Sequence, residues 1–254
     1  MTKYFIYILL MFTAFSCSKK IEIDEKKVFK LNRYDNISSL DPINARTQAN
    51  SWACNLIYNS LVKIDNQLEI QPDLAKSWEI SEDGKTYSFT LRNDIYFHKH
   101  PIFGKDSTRL VNANDFVFSF DRLKDPKAGG SGGWIMNNID SYKAVNDTIF
   151  EIKLKEAFPP FLGLVSMKYA SVVPKELFKN GNKEFLNHPI GTGPFQFKIW
   201  EDNVKMVFRK NPLYFEYDEK GQRLPYLEAV NLTFLPEKNS EFLELIKGNL
   251  DMMA

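Results

Sequence analysis

The sequence predicts an α/β fold of sheets and helices, and three observations carry that reading. Tyr87, Phe89 and Leu91 alternate with Ser88, Thr90 and Arg92, which sets one side of a strand on a core and the other on solvent. Phe116, Val117 and Phe120 recur at helical spacing between Asn112 and the breaker Asp125-Pro126. Phenylalanine occurs 21 times in 254 residues, which suits broad sheets and thick cores better than a lean helical bundle. A hydrophobic share of 44% supports a real core, and the length fits one or two domains.

The other elements follow in chain order. Val28, Phe29 and Leu31 begin a strand, and residues 36–44 form a loop broken at Asp41-Pro42. Trp52, Ala53, Leu56 and Ile57 have helical spacing, with Ser51 or Asn50 as the expected N-cap. Residues 61–64 and 67–70 flank Asp65-Asn66 as a hairpin. Residues 78–80 read as a strand and 81–85 as a turn with Gly84 at positive φ; the alternating run continues through Ile95 and Phe97. Asn112 or Asn114 caps the helix that carries Phe116. Residues 129–133 form a Gly/Ser loop, and residues 142–145 and 148–154 a hairpin around Asn146-Asp147. Pro159-Pro160 opens a short helix to Val165, and Pro174 stands in the first turn of a helix to Phe178. After Gly191-Thr192-Gly193-Pro194, residues 195–199, 205–208 and 227–234 read as strands. A helix capped by Ser240 is expected to turn Phe242, Leu243 and Ile246 inward and to end at Gly248. Residues 250–253 start a further strand.

Composition and terminal segments narrow the function. Lys and Arg number 33 against 32 Asp and Glu, so the excess of basic residues that neutralises phosphates is missing and no nucleic-acid partner is expected. The even balance also predicts a neutral, sequence-tolerant binding surface. Residues 1–16 have a signal-peptide layout: Lys3, an apolar run, then Ala14 and Ser16 before Cys17. Cys17 followed by Ser18, Lys19 and Lys20 resembles a bacterial lipobox, which implies lipidation of Cys17 and a charged tether over residues 17–27. An ordinary cleaved signal with a chance cysteine is the alternative. Cys54 then has no disulfide partner and is expected to sit buried as a small apolar residue.

Candidate chemistry is sparse. His98 and His100 share one side of a strand, yet no third ligand stands at metal spacing, so no metal is expected. The loop 129–133 lacks the Lys-Ser/Thr of a phosphate loop, and Gly191-Thr192-Gly193 lacks the serine of a nucleophile elbow. Glu82/Asp83 and Glu201/Asp202 read as solvated turn charges. No catalytic residue or cofactor is expected, and the chain does not read as an enzyme.

Several runs, taken in order, resemble the bacterial extracellular solute-binding proteins, family 5. They are Ser39-Leu40-Asp41-Pro42, Pro72-Asp73-Leu74-Ala75-Lys76-Ser77-Trp78-Glu79, Asp83-Gly84-Lys85-Thr86-Tyr87-Ser88-Phe89-Thr90-Leu91-Arg92 and Phe97-His98. Ala113-Asn114-Asp115-Phe116-Val117-Phe118-Ser119, Val173-Pro174-Lys175, Gly191-Thr192-Gly193-Pro194-Phe195, Arg209-Lys210-Asn211-Pro212-Leu213-Tyr214 and Gly248-Asn249-Leu250-Asp251 complete the set. Residues 99–109 depart from it as a longer basic, polar insertion.

The resemblance implies a periplasmic binding protein-like type II fold, two-lobed with discontinuous domains, and truncated here. Residues 28–58 are then the first part of lobe I, 59–187 an inserted small lobe and 188–254 an incomplete continuation of lobe I, whose strands are expected to lack partners. It implies a monomeric, lipid-anchored receptor in the periplasmic space of a Gram-negative bacterium. Such a receptor closes on a peptide ligand and delivers it to an ABC transporter permease. Nickel chelates or sugars are the alternative cargo, and a non-binding truncated fragment or structural lipoprotein the alternative function. By the same resemblance, residues 43–49 form an extended cleft edge that pairs with peptide backbone and carries Arg46, Thr47 and Gln48 as ligand-binding residues. Arg46 suits a ligand carboxylate, or is a surface arginine. Trp134 is a cleft wall, or packs in the core.

Overall fold

The computed structural model describes residues 27–178, 185 and 188–253; the signal segment, Cys17 and the tether up to residue 26 lie outside them. In chain order the elements are β1 (Val28–Asn32), α1 (Gln48–Ile57), β2 (Val62–Ile64), β3 (Ile70–Pro72), β4 (Ala75–Ile80) and β5 (Thr86–Leu91). Then follow α2 (Ala113–Lys124), β6 (Ile139–Asn146), β7 (Ile149–Leu154), α3 (Phe161–Val165), β8 (Phe195–Glu201), β9 (Lys205–Lys210), β10 (Ala229–Thr233) and α4 (Lys238–Ile246). The fold class is α/β.

Two four-stranded sheets organise the chain. The first has the order β1-β10-β9-β8, so the opening strand pairs in parallel with one some 200 residues later. The second, β4-β5-β7-β6, is wholly antiparallel and built from the middle of the chain. The strands after residue 188 therefore do have partners, against the expectation from sequence. Antiparallel pairing of β8, β9 and β10 closes their ladders within the chain, and β1 completes the sheet.

Local chemistry explains the elements that were legible. Tyr87, Phe89 and Leu91 of β5 are buried, as their alternation requires. On α2, Phe116 and Phe120 are fully buried and meet Phe150 of β7, at ring-centroid distances of 5.5 and 5.3 Å. Each such phenylalanine contributes about 1.5–3 kcal/mol of burial. Asn112 caps α2 in a reciprocal box with Asp115, an arrangement that contributes about 1 kcal/mol. Arg109, at the end of the 99–109 insertion, fastens that segment down by bonds to Asp115 and Glu176 and lies over the Phe97 ring.

Several boundaries differ from expectation. Thr47, not Ser51 or Asn50, caps α1, because the helix begins at Gln48 and the Thr47 hydroxyl accepts from the Asn50 amide at 3.1 Å. The hairpin's second strand is Ile70–Pro72, since Leu68 takes φ 66° in a longer turn. Beyond β5 only the bridge of Tyr96 to Leu110 extends the run through Phe97. The last helix starts at Lys238, and its Phe242, Leu243 and Ile246 point outward, 52%, 53% and 66% exposed. That face of α4 is thus largely open to solvent, while Glu241 takes the buried side. Residues 250–253 make a single parallel bridge, Met252 to Leu31.

Candidate functional site

A cavity of about 450 Å³ opens where three distant segments meet: the start of α1, the end of β2 and the chain just after α3. Its size falls in the usual range for small-ligand sites. Gln48, Ser51 and Asn55 line it from one face of α1, at i, i+3 and i+7. The opposite face carries Ala49, Ala53, Cys54 and Ile57 into the core. The Cys54 thiol is pushed far up by that burial, which makes it an apolar filler rather than a nucleophile.

Residues 43–49 are not an extended edge. Pro42–Asn44 is a 3-10 turn and α1 starts at Gln48. The turn uses its own backbone: the amides of Asn44, Ala45 and Arg46 donate to the carbonyls of Asp41, Pro42 and Asn44. The physical cause lies beneath it. Asp41 accepts from the Ile43 amide and forms a buried bidentate ion pair with Arg122, whose guanidinium lies over the rings of Phe178 and Phe185. A carboxylate so placed winds the following residues into a turn, and the turn presents Arg46 to the cavity.

Arg46, Thr47 and Gln48 thus come together on the cavity wall. Arg46 is exposed, and its side chain makes no hydrogen bond or ion pair among the described residues. Trp134 is not core: it is 46% exposed and stands edge-on to Tyr169, ring centroids 6.4 Å apart. Tyr169 lines the cavity, so Trp134 backs the wall rather than forming it. The glycine loop holds this arrangement. Ser131 and Gly132 donate to the Ile43 carbonyl, and a Cβ on Gly132 would lie 2.4 Å from the Tyr169 ring.

Sequence reasoning missed Lys63, Ser166, Met167 and Lys168, which line the same cavity. Lys168 donates to the Tyr58 carbonyl at 3.3 Å, and desolvation holds its ammonium below the usual lysine range, opposed by the nearby Asp73 charge. Asp73 is itself buried and pushed above the usual carboxylate range by desolvation, although it accepts from Asn59 and the Ser60 amide. Lys63 ion-pairs with Glu216, which also accepts from the Tyr214 hydroxyl. No motif marks Ser166 to Lys168 in the sequence; Ser51 and Asn55 were missed as well, although their i, i+3, i+7 spacing with Gln48 on one helix face was a signal that could have found them.

The histidines form a separate group beside a smaller cavity of about 310 Å³. His98 is buried and bonded at both nitrogens: Nδ1 accepts from the Gly191 amide at 3.3 Å and Nε2 faces the Gly193 carbonyl at 2.9 Å. Burial lowers its pKa to about 4. His100 accepts from the Ile102 amide, and its ring lies 6.0 Å from that of His188. Among the described residues no group of three or more His, Cys, Asp or Glu is placed to hold a metal, and no helix is long and apolar enough to cross a membrane.

A discontinuous sheet, an inserted antiparallel sheet and an open polar cavity define a binding protein of the periplasmic type II class. The chain belongs to the bacterial extracellular solute-binding proteins, family 5, whose middle-region model matches residues 69–254. It is 32% identical over 214 residues to the dipeptide-binding protein of Escherichia coli, covering 78% of this chain and 38% of that protein. Among solved structures it resembles the ABC transporter-associated periplasmic binding protein DppA of Helicobacter pylori in complex with the peptide STSA. There the TM-score is 0.80 and the identity 30%, over 89% of this chain and 46% of that one. It also resembles NikZ of Campylobacter jejuni in complex with Ni(L-His), with TM-score 0.76 and 27% identity over 90% and 43% of the two chains. The chain spans less than half the length of these relatives.

Proposed function

We propose that the chain forms part of a lipid-anchored receptor that captures peptides and delivers them to the permease of an ABC importer. In this reading Cys17 carries the lipid and residues 17–27 hold the domain off the membrane, in the periplasm of a Gram-negative bacterium. The sheet built from residues 28–58 and 188–254 belongs to one lobe and residues 59–187 form the inserted one. The supporting observation is the cavity at the start of α1, which gathers Arg46, Thr47 and Gln48 with Lys168 and Tyr169. Relatives that carry peptides in their names stand beside it. Isothermal titration of the monomeric protein, expressed from its full reading frame without residues 1–16, tests the reading. Heat with a mixed pool of short peptides is expected. Heat only with a nickel–histidine complex or a sugar would transfer the receptor to that cargo, and the NikZ likeness makes the nickel arm worth including.

A further inference from the structure

Charge bookkeeping around the cavity points to the kind of solute it takes. Three cations line it, Arg46, Lys63 and Lys168, and no Asp or Glu does. Two of the three are answered from the wall behind. Lys63 is paired with Glu216, and Lys168 gives one bond to the Tyr58 carbonyl while feeling the field of buried Asp73. Arg46 is answered by nothing among the described residues: it has no carboxylate within ion-pair distance and no side-chain hydrogen bond, and it stands exposed on the wall. The rest of the polar lining, such as Gln48, Ser51 and Asn55, is neutral and accepts either donors or acceptors. The even charge of the whole chain hides this local excess.

We infer that the cavity, if it is the solute site proposed above, holds its ligand by an anionic group. A carboxylate of the peptide is taken fork-to-fork by Arg46, so that free-acid and acidic peptides are favoured over amidated or lysine-bearing ones. A planar guanidinium with an open fork matches a carboxylate in bidentate geometry. A ligand ammonium on the same wall meets these cations and no Asp or Glu of the cavity lining.

The test uses four tripeptides, Ala-Glu-Ala and Ala-Lys-Ala, each as free acid and as C-terminal amide, titrated into the full-reading-frame protein and into Arg46→Gln. Arg46 is exposed, and a melt of the variant checks that it folds. The inference expects the free acid of Ala-Glu-Ala to bind tightest and its amide at least about tenfold more weakly. It expects Arg46→Gln to bring the acid down to the amide's affinity, and added salt to erode the acid's advantage. A matching loss on amidation of Ala-Lys-Ala supports the inference with the terminal carboxylate as the group held, and an amide of Ala-Glu-Ala as tight as its acid overturns it. Equal affinity for all four peptides, or an equal loss for all four in Arg46→Gln, overturns the inference and leaves peptide capture standing. No binding of any of the four overturns peptide capture and the inference with it.

Discussion

Acidification will loosen the joint where the chain returns to its first sheet, and His98 is the group responsible. His98 makes three bonds to the returning segment: its amide donates to the Gly191 carbonyl at 2.8 Å, Nδ1 accepts from the Gly191 amide and Nε2 reaches the Gly193 carbonyl. One tautomer satisfies all of them, neutral imidazole with the proton on Nε2. A second proton on Nδ1 would face the Gly191 N–H and place an uncompensated charge in a fully buried site. The joint has no slack to relax, because a Cβ on Gly191 would already lie 2.1 Å from the Ile57 carbonyl oxygen. Burial thus lowers the folded pKa from 6.5 to about 4. Between those values the unfolded chain binds a proton that the folded chain refuses, so stability is lost as pH falls from about 6.5 to about 4. At about 1.4 kcal/mol per pH unit, the loss reaches about 3 kcal/mol. For a chain of this size that corresponds to a drop in Tm of roughly 6–12 °C. The assay compares thermal melts of the wild type with His98→Gln from pH 4 to pH 7.5. Glutamine keeps one donor and one acceptor but does not titrate, and the carboxylates titrate alike in both proteins. The wild type is expected to lose the extra stability and the variant to be spared it. A gap between the two that stays constant with pH, or an NMR titration placing His98 near 6.5, would refute the reasoning.

Two further predictions concern the anchor and the turn that carries Arg46. Asp41→Ala leaves Arg122 charged, buried and unpaired beneath the turn, and is expected to cost about 3–5 kcal/mol in chemical denaturation. Adding Arg122→Met should recover much of that loss, and no recovery would count against the ion-pair account. Cys17→Ser is expected to abolish incorporation of labelled palmitate and release the protein from membranes; unchanged labelling would contradict lipidation at Cys17.

Local physics made much of the fold legible in the sequence. The alternation of Tyr87, Phe89 and Leu91, the stripe of Phe116 and Phe120, the Asn112 cap and the stop at Asp125-Pro126 each depend on neighbours a few residues away. Where a residue's fate depended on distant partners, sequence reasoning failed. Phe242, Leu243 and Ile246 have a good apolar spacing, yet in the fold they stay at least half exposed. The resemblance made residues 43–49 extended, yet the Asp41 carboxylate, held by Arg122 81 residues away, caps a turn at their start.

The sequence by itself determined the α/β class and the family, because periodicity, caps and ordered motifs are written in consecutive residues. It also brought Arg46, Thr47 and Gln48 to attention. Only the tertiary structure decided what surrounds them. The wall of Ser166 to Tyr169 arrives from more than a hundred residues downstream, and Lys63 from a separate hairpin. An even overall charge says nothing of which charges end up paired. Glu216 answers Lys63 and Asp73 stands near Lys168, but Arg46 is left open, and that imbalance exists only once the chain has folded.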